Sequence, residues 1–319
     1  MEKRYREATT MSYNLDVDNF AELFGVDADT FSPQVLDKIN LYNFKYNRLG
    51  YDEYNELILK IVKRINTKDF TLSGPEEKER WVKGWGENLQ EFIDSGHDLS
   101  KLVPKYVHPY IPIRLFDDYV KTEDPDFELN FLDVYRTWLF ETYFSGCNCV
   151  YEFGCGSGYN LTHIAEMYPN CELHGLDWVE PSKQILEELK KVYSFNTTGH
   201  IFNMFNPDYD LEIKKGSAFL AIGALEQLGR KFEPFLQFIL AKKPSIVVHV
   251  DSFVELYPED NLSGYLAIEF DKARNYLQGY LTRLACMHQE QELEILKTQY
   301  VTCGSLYHSG YSFIVWRPK

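Results

Sequence analysis

The feature that most constrains the fold is a short apolar strand that runs directly into a glycine-rich turn. Residues 148–153 read NCVYEF, and residues 154–158 read GCGSG. Glycine adopts backbone angles that other residues avoid, and it lets a ligand approach the main chain closely. A helical segment, Leu161–Tyr168, follows at once and is stopped by Pro169. Strand, glycine turn and helix in this order indicate a ligand-binding unit of a parallel α/β sheet.

The same rhythm continues to residue 250 and predicts the fold class. Apolar runs at 171–176, 200–205, 217–225 and 245–250 alternate with helical segments. Near the C-terminus, a long helix is expected over about Leu262–Met287, and Leu293–Val301 and Tyr311–Trp316 read as an antiparallel hairpin. We therefore expect an α/β, Rossmann-like, doubly wound and mostly parallel seven-stranded sheet with a C-terminal antiparallel hairpin.

Residues 1 to 125 have a different pattern, with apolar residues at helical spacing around residues 34–65 and 81–93. This predicts an N-terminal helical region. The proline-stiffened segment 105–116 follows it. It is either a lid, with Tyr106, His108, Tyr110 and Arg114 facing substrate, or a plain interdomain linker.

Composition excludes some partners. The formal net charge of −15 disfavours a nucleic-acid partner, because phosphate contacts supply most non-specific affinity for nucleic acids. The six cysteines form no C-x-x-C pair and indicate free thiols in a reducing compartment. The polar N-terminus and the absence of a long apolar run predict a soluble cytoplasmic protein without a membrane partner.

An acidic residue follows the second strand and narrows the cofactor class. Asp177 lies 19 residues after Gly158, where a carboxylate can accept hydrogen bonds from ribose hydroxyls. A dinucleotide site needs G-x-G-x-x-G, but Tyr159 or Leu161 stands where the third glycine is required. The fingerprint fails in both frames, which disfavours a nicotinamide enzyme.

What stands here is E-x-G-x-G-x-G, and with Asp177 it resembles the class I S-adenosylmethionine-dependent methyltransferases. The resemblance covers roughly residues 130 to 319. It implies a methyltransferase domain at 126–319, with S-adenosylmethionine as cofactor and S-adenosylhomocysteine as product. It also implies that the region 1–125 caps the acceptor site or forms dimer contacts.

The resemblance also assigns cofactor-binding roles. The glycine loop would lie beneath the methionine and ribose, Glu152 would contact the methionine amino group, and Asp177 would bind the ribose. Trp178 would pack on adenine or in the core, and Asn203 would read adenine or serve a turn. The implied cofactor-binding positions are Glu152, Gly154, Cys155, Gly156, Gly158, Asp177, Trp178, Asn203, Met204, Ala224 and Leu225.

Candidate bases for the acceptor lie after the fourth and fifth strands. Glu226 follows the fourth, and His249 and Asp251 close the fifth; their i, i+2 spacing puts both on one side of a strand. If that side faces the cleft, Asp251 orients His249. The alternative is that His249 is satisfied within the sheet. His308 reads as an incidental loop histidine, and no full set of metal ligands is evident, so a metal-independent enzyme is predicted.

The leading hypothesis is methyl transfer to a small molecule, more readily to a hydroxyl of a sugar or natural product than to nitrogen. A protein or peptide methyltransferase and a non-catalytic S-adenosylmethionine-binding module remain as alternatives. A homodimer formed through the N-terminal region is a further expectation.

Overall fold

The computed structural model describes residues 12–67, 70–107, 109 and 112–319; His108 and Tyr110 of the predicted lid lie outside them. No helix in these ranges is long and apolar enough to cross a bilayer. Helices α1 to α10 are Val17–Phe24, Pro33–Leu41, Tyr51–Thr67, Lys78–Asp94, Phe127–Phe144, Tyr159–Met167, Glu180–Tyr193, Glu233–Lys242, Leu262–Arg274 and Tyr280–Gln289. Strands β1 to β12 are Ser12–Asn14, Lys45–Arg48, Ile113–Leu115, Asp118–Thr122, Cys149–Phe153, Glu172–Asp177, Thr197–Ile201, Ala218–Ile222, Ile246–Asp251, Leu293–Gln299, Cys303–Gly304 and Ser312–Pro318.

The large sheet has seven strands in the order β10-β12-β9-β8-β5-β6-β7. Strands β5 to β9 run parallel, and β12 pairs antiparallel with both β9 and β10. The central strands are continuous apolar runs because helices cover both faces of the sheet. The predicted fold class, including the C-terminal antiparallel hairpin, is confirmed.

A second, five-stranded sheet lies in the N-terminal region, in the order β1-β2-β4-β3-β11. Its strands pair antiparallel, and β11 comes from the C-terminal part of the chain. The prediction of a helical region at 1–125 found the helices but omitted these strands. They are short, and β1 and β2 have no clear apolar alternation, so they carry little sequence signal.

The predicted helix over Leu262–Met287 is in fact two helices. Asn275 ends α9 in the left-handed conformation, with φ at 57°, and its N–H donates to the carbonyls of Asp271 and Lys272. Asparagine tolerates this conformation and ends the helix here. The apolar periodicity continues past Asn275, which is why the prediction extended the helix. Gly279, with φ at 87°, then begins α10.

Helix α5 joins the N-terminal region to the large sheet. Most of its residues are buried, because the N-terminal helices cover one side and the sheet covers the other. Phe24 of α1 stacks on Trp138 of α5 at 4.6 Å between ring centroids, and Phe313 of β12 meets Trp138 from the sheet at 5.5 Å. The regions on either side of residue 125 therefore share one hydrophobic core.

Candidate active site

The glycine loop after β5 is a tight turn that only glycine fits at two positions. Gly154 and Gly156 have φ of 71° and 52°, in the left-handed region. A Cβ on Gly154 would lie 2.4 Å from the Cβ of Ala224, and one on Gly156 would lie 2.6 Å from Cζ2 of Trp85. The backbone of this loop is therefore in direct contact with Ala224 and Trp85, and a side chain at either glycine would collide with them.

Asp177 holds the loop from the end of β6. Its carboxylate is buried and accepts hydrogen bonds from the N–H of Gly156 at 2.9 Å and of Val179 at 3.3 Å. Burial raises the pKa of Asp177 to about 6, and these backbone donors oppose the rise. The carboxylate is thus mainly ionised at neutral pH, with acceptor capacity left for a ligand.

Glu152 lies beneath the loop and is fully buried. Its Oε1 accepts a hydrogen bond from Asn160 Nδ2 at 2.7 Å, while its Oε2 is buried without a hydrogen-bond partner. Burial raises the pKa of Glu152 to about 8. Buried carboxylate oxygens are normally satisfied, so the unpaired oxygen marks a place where a polar partner fits.

A cavity lies over this loop and encloses about 730 Å³ of empty space, part of it open to solvent. Eight of the predicted cofactor-binding residues line it: Gly154, Cys155, Gly156, Asp177, Trp178, Asn203, Met204 and Ala224. Three do not. Glu152 reaches it only through Asn160, Gly158 faces Leu186 of α7, and Leu225 is buried in the core.

Trp178 and Asn203 follow the ends of the neighbouring parallel strands β6 and β7, and each has a partner already. The ring of Trp178 packs against Phe205 at 5.7 Å between centroids and remains in the cavity wall. Asn203 Oδ1 accepts the N–H of Phe205 at 2.9 Å, so this side chain does form a turn, as the alternative reading had it. Its Nδ2 stays available as a donor.

The N-terminal region supplies the remaining wall, which the sequence reading did not find. Trp81 and Trp85 of α4, together with Pro104 and Tyr106, line the cavity. The two indoles stack at 5.6 Å between centroids, as their i, i+4 spacing on one helix face allows. The i, i+4 spacing of the two tryptophans could have indicated an aromatic face on α4. The neighbouring sequence does not show which part of the chain that face packs against.

This cavity opens into a larger one of about 2350 Å³, part of it open solvent, and both are lined by Trp85, Tyr106, Asn160 and Gln227. Of the predicted bases, Glu226 and Asp251 line the larger cavity. Asp251 Oδ2 accepts the N–H of Glu226 at 3.1 Å. Burial raises the pKa of both carboxyls, and the proximity of Glu226 raises that of Asp251 further.

His249 does not line either cavity, which corrects the expectation that it faces the cleft beside Asp251. It is fully buried, and its Nδ1 is 2.9 Å from the hydroxyl of Tyr280. Burial lowers its pKa to about 3. The i, i+2 spacing does put the two side chains on one face, but His249 lies two residues deeper, where α8 and α10 cover the sheet.

His308 takes the position that His249 was expected to hold. It lines the larger cavity, and its Nδ1 is 3.0 Å from Oδ1 of the buried Asp271 on α9. Burial alone lowers the pKa of His308, but Asp271, with Glu226 and Asp251 beyond it, raises the pKa above its ordinary value. His308 therefore lines the cavity with a buried carboxylate as its partner, although it lies in a loop. Nδ1 is engaged by Asp271, which leaves Nε2 as the ring atom available to a ligand.

Arg114 of the predicted lid is a core residue. It is buried, its guanidinium donates to the carbonyl of Ser263 at 2.8 Å, and it lines neither cavity. Tyr106 lines both cavities, as a lid residue would. Among the described residues, no group of three or more His, Cys, Asp or Glu side chains is arranged to hold a metal ion.

Comparisons with known proteins found similar solved structures, whereas no protein-family model and no curated protein matches the chain. Magnesium protoporphyrin IX methyltransferase from Synechocystis PCC 6803, solved with S-adenosylmethionine, is 12% identical over 60% of this chain and 80% of its own, with a TM-score of 0.43. The plantazolicin methyltransferase BpumL is 12% identical over 76% and 98%, with a TM-score of 0.44. The mitomycin 7-O-methyltransferase MmcR is 14% identical over 99% and 91%, with a TM-score of 0.42. The fold assignment rests on the strand order of this chain.

Gly156→Ala tests the close contact between the loop and α4. The new methyl group meets the Trp85 ring, and alanine is strained at a φ of 52°. We expect the free energy of unfolding to fall by about 1–3 kcal/mol in urea titrations. Tryptophan fluorescence should shift as the Trp85 ring becomes exposed.

Gly146→Ala is the matched control, because no heavy atom lies within 4 Å of its added Cβ and its φ is not positive. It should leave the unfolding curve within about 0.5 kcal/mol of the parent. Equal stability of the two variants would show that Trp85 does not rest on the loop.

Proposed function

We propose that this chain is an S-adenosylmethionine-dependent methyltransferase that methylates a hydroxyl group of a small molecule. The observation that carries the proposal is the pair of connected cavities. The narrower one lies on the glycine loop beside Asp177, and the wider one contains His308 and two buried carboxyls. Their shared wall is where two bound molecules would meet.

The side chains around the narrower cavity match the polar groups and the adenine ring of the cofactor. Gly154 and Gly156 line the cavity, where glycine backbone lets a ligand approach closely, and the ionised Asp177 offers acceptors to ribose hydroxyls. Glu152, which reaches the cavity through Asn160, suits the methionine ammonium group through water or Asn160, and that positive charge would favour the ionised form of Glu152. Trp178 and Met204 supply apolar surface for adenine.

When bound, the cofactor supplies a methyl group already activated by a sulfonium charge. The residues of this chain then have three tasks: to align the acceptor, to exclude water and to remove the hydroxyl proton. Trp85 and Tyr106, which line both cavities, would close the junction against water. Glu226 and Asp251 lie beside the junction and would hold the acceptor by hydrogen bonds.

His308 would remove the proton. Its Nε2 accepts the proton of the acceptor hydroxyl, while Asp271 fixes the ring and stabilises the imidazolium that forms. This arrangement favours a hydroxyl acceptor, because an alcohol benefits from a base whereas an amine needs only to be neutral. In this proposal Glu226, which was predicted as a candidate base, and Asp251, which was predicted to orient His249, bind the acceptor instead. His249 has a packing role.

The first test concerns the cofactor. Asp177→Asn keeps the side-chain shape but removes the charge, so we expect S-adenosylhomocysteine to bind about 10- to 100-fold more weakly, as measured by isothermal titration calorimetry. Asp260→Asn, at an exposed carboxylate, is the control and should leave the affinity unchanged. If the parent protein fails to bind S-adenosylmethionine and S-adenosylhomocysteine at millimolar concentration, the proposed cofactor is wrong.

The second test concerns the base, and its first measurement needs no acceptor. NMR titration of the imidazole should give His308 a pKa above its ordinary value of 6.5. Asp271→Asn removes the neighbouring negative charge and should lower that pKa by about one pH unit. The base form of His308 gains as pH rises through its pKa, so methyl transfer should increase over the same range, and the variant's profile should move to lower pH.

Glu269→Gln is the control on the same helix, because Glu269 is paired with Lys272 rather than with His308. It should leave both the pKa and the pH profile unchanged. If Asp271→Asn leaves the pKa of His308 unchanged, the proposed role of His308 as the base is wrong.

The third test concerns the acceptor class. The protein is incubated with methyl-labelled S-adenosylmethionine and a cell extract, and the label is separated by size. Label in the small-molecule fraction, located on oxygen by mass spectrometry, is the expected result. Label in protein would favour the peptide-methylating alternative. Cofactor binding without any transfer would favour a non-catalytic binding module.

A further inference from the structure

Arg274, the last residue of α9, places a positive charge in the wall of the larger cavity. Its guanidinium carbon lies 5.0 Å from the ring centroid of Tyr276 and 5.9 Å from that of Phe70. Cation–π contacts of this kind hold the charge in place without neutralising it. The orientation of the guanidinium is therefore fixed by rings rather than by an anion.

No carboxylate in the described part of the chain lies within 4 Å of the Arg274 guanidinium, and its Nε is buried without a hydrogen-bond partner. The positive charge of Arg274 acts on Glu226 from a greater distance and opposes the rise in the pKa of that carboxyl. Arginine has five donors in a planar fork, which matches a carboxylate. The Arg274 guanidinium is thus held in the cavity wall with donors that an anionic ligand could accept from.

The surroundings strengthen this reading. Arg64 of α3 and Arg80 and Lys83 of α4 also line the larger cavity. The chain as a whole has 48 acidic and 33 basic residues, so several basic side chains around one cavity run against its composition. The same cavity is also lined by four acidic side chains. Glu87 of α4 is paired with Lys105, Glu128 accepts a hydrogen bond from Tyr311, and Glu226 and Asp251 lie near the strand ends. Arg274 has no such carboxylate partner among the described residues.

The cavity also defines the spacing of the groups that it would hold. The Tyr276 ring stacks on His308 at 5.6 Å between centroids, and the same ring also contacts the Arg274 guanidinium. The fork therefore lies about one aromatic ring away from the base. Phe270 and Tyr307, stacked at 4.6 Å, add apolar wall between the two.

We infer that the acceptor is an anionic small molecule, with a carboxylate bound by Arg274 and its methylated hydroxyl about one aromatic ring away at His308. This rests on the proposed methyltransferase function and adds the substrate class to it. The apolar body of the acceptor would lie against Phe270 and Tyr307. Arg274 would select for the anion and hold the hydroxyl at the base.

The test uses two probes that differ only in charge, 3-(4-hydroxyphenyl)propanoate and its amide, with the full chain saturated with S-adenosylhomocysteine. Calorimetry should show the carboxylate binding about tenfold more tightly than the amide. Arg274→Gln should abolish this preference by weakening the carboxylate alone. Arg274→Lys keeps the charge but loses the fork and should retain part of the preference.

Arg317→Gln is the matched control, because Arg317 is exposed and paired with Glu294. It should leave both probes unaffected. Arg274→Gln should keep the parent's unfolding curve and its affinity for S-adenosylhomocysteine, which separates a lost anion contact from a lost fold. The inference is overturned if the two probes bind equally, if neither binds at millimolar concentration, or if Arg274→Gln leaves the carboxylate affinity unchanged.

The outcome is distinguishable from a failure of the proposed cofactor. If S-adenosylhomocysteine does not bind the parent, the methyltransferase proposal fails, and the probes are then compared on the protein alone. A carboxylate preference that depends on Arg274 would still establish the anion site. Cofactor binding together with equal affinity for the two probes would leave the methyltransferase proposal standing and remove the anionic acceptor.

Discussion

The contact between Trp85 and the backbone of Gly156 is the constraint on which the site depends. A Cβ at Gly156 would lie 2.6 Å from Cζ2 of the indole, so helix α4 packs directly against the glycine loop. The hydroxyl of Ser157, the next residue of the loop, donates to the carbonyl of Leu102 at 2.5 Å. This hydrogen bond holds the segment that follows α4 against the loop. The loop provides the floor of the narrower cavity, and the N-terminal region provides its roof. A ligand there is enclosed only because both parts of the chain meet at this point.

Charged side chains are unevenly distributed along the wall of the larger cavity. Glu226 and Asp251 lie at the carboxyl ends of parallel strands, where burial keeps their pKa raised. A sulfonium cation bound nearby would favour the ionised forms and so lower those pKa values again. Most basic side chains of the lining lie elsewhere, on α3, on α4 and at the end of α9, and Glu87 of α4 is paired with Lys105. A cationic cofactor and an anionic acceptor would therefore each meet charge of opposite sign.

Local sequence signals predicted the parts of the site that lie within one strand–turn–helix unit. The glycine loop and Asp177 are such parts, because strand length, glycine spacing and the next strand end are all read within a short window. Trp85 could not be placed in this way, since its partner is a backbone surface far along the chain. The five-stranded sheet was missed for a related reason, as β3 is completed by β11 from near the C-terminus. Pairings across such distances leave no periodicity in either segment.

The two histidines show why position along a strand is a weaker guide than surroundings. His249 stands near a strand end, as a base should, but it is enclosed by Phe235, Tyr280 and Trp316, and burial without a nearby charge lowers its pKa to about 3. His308 stands in a loop, yet Asp271 raises its pKa against an opposing burial effect. A general base at neutral pH must bind a proton reversibly, which a histidine with a pKa near 3 does poorly. The carboxylate neighbour, which only the folded chain brings within 3.0 Å, therefore decides which of the two histidines is suited to proton transfer.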